Sequence, residues 1–110
     1  MRHEFDIIRG AINCDYNEVD NALKENPDCI NDRDWRNGMT AAHISILQEN
    51  FEMFSDLMQQ PHYDPDIKDN HGRRALDLTS KPYLIKYRKL LMNKMYSVFP
   101  QIHNELNPRP

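Results

Sequence analysis

The sequence predicts an all-α protein: a solenoid of helix-turn-helix units with hairpin-like loops, about three repeats long, closed by a long C-terminal capping helix. Three observations carry that expectation. Gly38 and Gly72 lie 34 positions apart, as do Ala41 and Ala75, within Gly38-Met39-Thr40-Ala41-Ala42-His43 and Gly72-Arg73-Arg74-Ala75-Leu76-Asp77. The residues leading into each segment also correspond, Asn31-Asp32-Arg33-Asp34 to Asp66-Ile67-Lys68-Asp69. Between them apolar residues recur at helical spacing. A period of this length is characteristic of a helix pair and its turn, which expose an apolar face that only a stacked neighbour can bury.

Each element has its own reason. Ala11 to Leu23 reads as a pair of short helices, the weakest copy of the unit. In the second unit Thr40 is placed to cap the helix that follows, its hydroxyl accepting from free amides of the first turn. Gly38 and Gly72 supply the positive φ of a tight turn before each helix. Ala42, Ile46 and Leu47 form the apolar face of the first helix, which ends near Glu49-Asn50, and Phe51, Phe54, Leu57 and Met58 form that of the second. Thr79 or Ser80 is expected to cap the last helix, with Pro82 in its first turn, where no amide partner is lost. From Tyr83 to Phe99, the residues Leu84, Tyr87, Leu91, Met95 and Val98 make one stripe of a long amphipathic helix. Its first half is expected to seal the third unit. The second half either folds on the stack or offers Met95, Tyr96 and Phe99 to a partner.

The segment Gly38-Met39-Thr40-Ala41-Ala42-His43, the helix to Glu49-Asn50 and the helix Phe51 to Met58 together resemble an ankyrin repeat. The family's Gly-x-Thr-Pro-Leu-His opening falls on Gly38, Thr40, Ala41, Ala42 and His43, with Ala41 and Ala42 in place of Pro and Leu. In the third unit Asp69-Asn70-His71-Gly72 fits the Asp-x-x-Gly turn, while Arg74 stands for Thr and Asp77 for His, which suggests an ionic pair in their place. The first unit keeps the second-helix pattern and Asn31 but lacks the opening motif. The resemblance implies a single ankyrin-repeat domain over 1–99, with units of about 3–34, 35–68 and 69–99, and a frayed tail at 100–110. It also implies that His43 hydrogen-bonds to Thr40 and to a neighbouring turn.

A length of 110 residues suits one domain, and 28% charged with 39% hydrophobic residues is the balance of a soluble globular chain. No run approaches the roughly 18 apolar residues of a membrane span, so no membrane partner is expected. The start, Met1-Arg2-His3-Glu4-Phe5-Asp6, has acids where a secretory signal needs an apolar run. Cys14 and Cys29 are expected in different layers and unbridged, which suits a reducing cytoplasm, or a host cytosol for a secreted effector. Net charge is −3, unevenly spread. Residues 1–67 hold 14 acids and 5 bases (−9), whereas 68–94 hold 8 bases and 2 acids (+6). The basic end is either the polar face of an end cap or one pole of a dipole that steers a partner. Tyr83 and Tyr87 lie near the bases, but the rest is acidic and no reading motif is present, so nucleic acid is not an expected partner.

Catalytic patterns are missing from the sequence. His3, His43, His62, His71 and His103 are dispersed, without Cys-x-x-Cys or His-Glu-x-x-His spacing, and three glycines do not make a phosphate loop. Cys14 reads as a small packed apolar side chain. No enzyme activity, cofactor or metal is expected. The resemblance instead implies a protein-interaction module, as adaptor, inhibitor or effector, that binds a partner protein through hairpin tips and a concave helix face while remaining monomeric when free. The alternative is a structural or accessory domain of a larger assembly or enzyme. Candidate contacts are Arg33, Trp35, Arg36, Asn37 and Met39 at the first tip, and Asn70, His71 and Arg73 at the second. Leu47 and Gln48, with Asn13, are expected to face the groove. Trp35 is the only tryptophan and is flanked by arginines, the types enriched at interface hot spots. It either projects from the tip or folds down over Arg36 or the adjacent hairpin.

Overall fold

The first helix starts at Asp6, whose carboxylate accepts the backbone N–H groups of Ile8 and Arg9 at 2.9 and 3.4 Å. Those amides have no partner within a helix, which is why a short acidic side chain is effective there. α1 (Ile7–Ile12) is followed by α2 (Tyr16–Glu25), capped by Asp15, and by a 3₁₀ turn at Pro27–Asn31. α3 (Ala41–Leu47) is capped by Thr40 and α4 (Phe51–Met58) by Asn50. Two further 3₁₀ turns, Ala75–Thr79 and Pro82–Leu84, lead into α5 (Ile85–Val98). The computed structural model describes residues 4–98, and among these no strand is present. The protein is all-α.

Three expectations change. The first unit's helices begin at Ile7, four residues before Ala11, because Asp6 and Asp15 each provide a cap. The helix expected after Gly72 is a 3₁₀ turn of five residues. Pro82 follows too soon for an α-helix to propagate, since the residue before a proline is driven to extended backbone. Thr79 and Ser80 do not cap the last helix. Thr79 turns its hydroxyl back onto the Leu76 carbonyl at 2.7 Å, and the turn at Pro82 begins from Lys81 without a side-chain cap.

One row of elements runs through α1, α3 and the 75–79 turn, and α2, α4 and α5 pack beside it. α1 packs on α3, and α3 on the 75–79 turn; α1 also packs on α2, α3 on α4, and α4 on α5. Ile7, Ile30, Ile46, Met53, Phe54 and Leu57 are buried between them, and Leu84, Tyr87, Leu91 and Met95 are buried as the apolar stripe requires. Tyr87 meets Phe51 edge-on and Phe54 at a tilt, each at 5.1 Å between centroids. Phe99, residues 100–110 and the Val98 side chain lie outside the described residues. A set of hydrogen bonds joins these elements across 30 to 37 residues of sequence. Asn31 supplies two of them, donating to the His62 carbonyl and accepting the Asp64 N–H, both at 2.8 Å. Lys94 supplies another, donating to the Gln60 carbonyl at 2.8 Å.

His43 is the most constrained polar group. Its Nδ1 lies 2.8 Å from the Thr40 hydroxyl and accepts the Thr40 N–H at 3.3 Å; its Nε2 lies 2.9 Å from the Arg73 carbonyl. A carbonyl only accepts, so Nε2 carries the proton and Nδ1 the lone pair. Arg74 and Asp77 occupy the corresponding places 34 residues on. There the Arg74 N–H donates to Asp77 Oδ2 at 2.8 Å, and the Arg74 Nε stands 3.8 Å from the same oxygen.

Two measurements test this core. Leu57 is fully buried on α4, so Leu57→Ala is expected to cost about 2–5 kcal/mol in urea titration; a loss below about half a kcal/mol would mean that it is not a core residue. Burial holds the His43 pKa below the ordinary histidine value. Below about pH 6.5 the unfolded imidazole therefore protonates while the folded one resists, unfolding takes up a proton, and stability falls as pH falls. The slope is bounded at about 1.4 kcal/mol per pH unit for one proton. Urea midpoints between pH 7.5 and 5.5 are expected to drop, and the drop to flatten in His43→Gln; an equal drop in both proteins rules His43 out as its source.

Candidate functional site

The two hairpin tips share one hydrogen-bond plan. Asp34 N–H donates to the Met39 carbonyl and Asp69 N–H to the Arg73 carbonyl, each at 2.8 Å. Gly38 and Gly72 donate back to the Asp34 and Asp69 carbonyls at 2.7 and 3.0 Å, both glycines at φ +75°. Each aspartate then accepts an amide two residues on, from Arg36 at 3.0 Å and His71 at 2.9 Å. Such local bonds are the reason aspartate starts turns.

Both aspartates are buried, with an arginine on each. The Arg36 guanidinium grips Asp34 through two nitrogens, at 3.0 and 2.9 Å, and holds its carboxyl below the usual range. Burial opposes ionisation of Asp69, but the amides of Arg73 and His71 and the Arg73 guanidinium outweigh it, and its pKa is also lowered. The tips differ in length, with five residues from Asp34 to Gly38 and four from Asp69 to Gly72. The longer loop carries Trp35.

The tips are tied together. Asn70 N–H donates to the Asn37 carbonyl at 2.9 Å, and Arg33 bridges the Gly38 carbonyl at 3.1 Å and Asn70 Oδ1 at 3.0 Å. Gly38 sits inside this junction: a Cβ there would stand 2.8 Å from the Asn70 backbone nitrogen and press on both side chains. At Gly72 the same atom would meet nothing within 4 Å.

The expected contact residues therefore divide. Trp35 is 89% exposed, with the Arg36 guanidinium carbon 6.0 Å from its ring centre, so the arginine leans over the ring and the ring itself stays in solvent. His71 is exposed on the second tip. Arg33, Asn70 and Arg73 hold the tips in shape, as does half-buried Asn37, whose Oδ1 accepts the Met39 N–H at 2.9 Å. Met39 is not at the tip surface but buried, because it lies past Gly38 where the closing hairpin returns the chain to the core. Leu47 and Gln48 end α3 on the side away from the tips, about 10 Å along a seven-residue helix. Leu47 is 54% exposed and not part of the core face. Gln48 donates to the Ile12 carbonyl at 2.8 Å. Cys14 is exposed and not packed; it takes the left-handed conformation (φ 54°) that joins α1 to α2, and its thiol reaches Gln48 Oε1 at 3.4 Å. Cys29 is buried, its thiol pushed up to about 11 by that burial, and both thiols are free.

A cleft of 690 Å³ opens between the first tip and α1. Trp35, Arg33 and Arg36 line it from the first tip, Ile8, Ile12 and Asn13 from α1 and its C-terminal end, and Glu25, Cys29 and Asp32 from the end of α2 and the turn that follows. Asn13 was expected at the groove, but Ile8, Ile12 and Glu25 were not, since the first unit lacks the motif that would have aligned them. A smaller hollow of 260 Å³ lies at the other end of α3, among Leu47, Leu78 and Tyr83. Of the bases in 68–94, Arg73 and Arg74 pair with aspartates, Lys94 and Arg88 hold oxygens, and Lys86 lies 4.5 Å over Phe51. Most of the basic end is thus engaged within the protein, Arg74, Lys86 and Lys94 on residues of the second unit and Arg73 and Arg88 on their own.

Among the described residues no group of three His, Cys, Asp or Glu could hold a metal ion, and no helix is long and apolar enough to cross a membrane. Comparison with family models, curated proteins and solved structures gave no match. The junction makes a quantitative demand on the glycines. Gly72→Ala is expected to cost about 1–2 kcal/mol, the left-handed penalty alone. Gly38→Ala adds overpacking of about 1–3 kcal/mol. Thermal unfolding showing the two variants equal would mean the tips are not in contact.

Proposed function

We propose that the chain is a small ankyrin-repeat stack that binds another protein across its hairpin tips and the adjoining concave helix face, without catalysing a reaction. The observation that carries this reading is Trp35, 89% exposed on a tip where the surrounding backbone and both aspartates are already hydrogen-bonded. Folding does not use that side chain. A large aromatic surface held on a pre-ordered loop can be buried by a partner at small entropic cost. The ankyrin reading is supported by inter-unit hydrogen bonds near the 34-residue period, by paired tips with one plan, and by His43 bridging its own helix to the next tip. Adaptor, inhibitor and effector roles all follow from such a contact and are distinguished by the partner. The free thiols suit a reducing compartment, so the cytoplasm is the proposed setting.

The test begins with mass spectrometry of proteins retained by the immobilised chain, followed by affinity measurement on the purified pair. Trp35→Ala is expected to weaken binding by about 2 kcal/mol, near thirtyfold, with little change in unfolding temperature. Lys89→Glu, on the exposed side of α5, is expected to matter far less at physiological salt. Unfolding by Trp35→Ala with binding spared would make the tryptophan structural and remove the basis of the reading.

A further inference from the structure

The cleft beside Trp35 has a chemistry of its own. Its exposed apolar floor is Ile12, 38% accessible at the end of α1, together with half-buried Ile8. Around it stand the carboxylates of Asp6, Glu25, Asp32 and Asp34, and Glu18 immediately behind, against the three arginines Arg9, Arg33 and Arg36. The lining itself, without Glu18, holds four acids against three arginines, a net charge of −1. Two of the arginines are also committed within the wall, Arg9 to Glu18 and Arg36 to Asp34. The wider surface has the same sign, since residues 1–67 sum to −9. Cations are therefore drawn toward this half of the molecule, and Glu25 and Asp32 are among the acids that line the cleft there.

We propose that the cleft receives a basic, apolar segment of the partner protein, its aliphatic or aromatic side chain settling on Ile8 and Ile12 beside Trp35 and its lysine or arginine facing Glu25 and Asp32. This rests on the reading that the first tip docks a partner, and adds which chemistry it takes. A volume of 690 Å³ accommodates several side chains of an extended or helical segment, more than a single anchor needs.

Trp35 is the only tryptophan, so its emission reports directly on the cleft. A lysine–leucine dodecapeptide is expected to shift that emission and to bind roughly tenfold or more tightly than a glutamate–leucine peptide of equal length, with an advantage that shrinks as salt rises. Glu25→Gln with Asp32→Asn is expected to weaken the lysine peptide by about three- to tenfold. Glu52→Gln with Asp56→Asn, on the exposed face of α4, removes the same charge and is expected to change affinity less than about twofold. Ile12→Ser is expected to weaken it without moving the urea midpoint beyond the small cost of an exposed site. Equal effects of the two charge pairs, or no binding of the lysine peptide, overturn the proposal. Equal affinity for both peptides overturns the charge assignment while leaving tip docking intact. Partner binding that survives Trp35→Ala defeats tip docking itself. The segment from Lys81 to Lys89, with Tyr83 and Ile85 exposed, carries the same chemistry on this chain. Concentration-dependent dimers in sedimentation equilibrium, lost in Tyr83→Ser, would make the occupant a second copy and overturn a foreign one.

Discussion

A neutral imidazole, sealed from water, joins the second unit to the third. His43 satisfies the start of α3 through Nδ1 and holds the backbone of the second tip through Nε2 on the Arg73 carbonyl. Each buried polar group left without a partner costs about 1–3 kcal/mol, and loss of this ring would strand more than one. Its geometry also sets a register: the tip that contains Asp69 can only close where the Arg73 carbonyl faces the ring. The tip-to-tip hydrogen bond from Asn70 to Asn37 and the Arg33 bridge then follow from that placement.

The tips are stiff for reasons separate from what they display. Their amides close on their own carbonyls and aspartates, and buried carboxylates fix the arginines beside them. The tryptophan stands outside this plan. It occupies the loop that is one residue longer than its counterpart, so it can vary without disturbing a single hydrogen bond of the turn. The same separation applies to the cleft, whose apolar lining residue Ile12 ends a helix and whose acids Glu25 and Asp32 come from a different segment. Shape comes from one set of residues and surface chemistry from another.

The second unit was legible in the sequence because its local signals agree: a glycine for the turn, a threonine cap, and a histidine three residues on, followed by a helix with bounds from Phe51 to Met58 as expected. The apolar stripe of the last helix was legible for the same reason, period and burial coinciding at Leu84, Tyr87, Leu91 and Met95. Where signals conflicted, reading failed. In the third unit the apolar pattern favours a helix while Pro82 forbids one, and the backbone compromised on a 3₁₀ turn. Met39 looked like a tip residue by number, yet it lies past Gly38, where the closing bond from Asp34 returns the chain to the core and buries it. Cys14 was misplaced because left-handed backbone at a non-glycine has no sequence signature, and Glu49 repeats that conformation after α3. The cleft was half legible: Arg33, Trp35, Arg36 and Asn13 were expected at it, while Ile8, Ile12 and Glu25 were not, since only the packing of the first helices against the first tip brings them together.

Asp77 stands 34 residues after His43, and the two side chains make different connections. An imidazole has two nitrogens at opposite edges, one for its own helix and one for a neighbour. Asp77 spends its carboxylate on the Arg74 amide and guanidinium, within its own unit. It presents no N–H donor with which to grasp a following carbonyl. Among the described residues the bridge that His43 makes from α3 to the second tip is therefore not repeated by Asp77, whose carboxylate closes the chain locally instead of reaching onward.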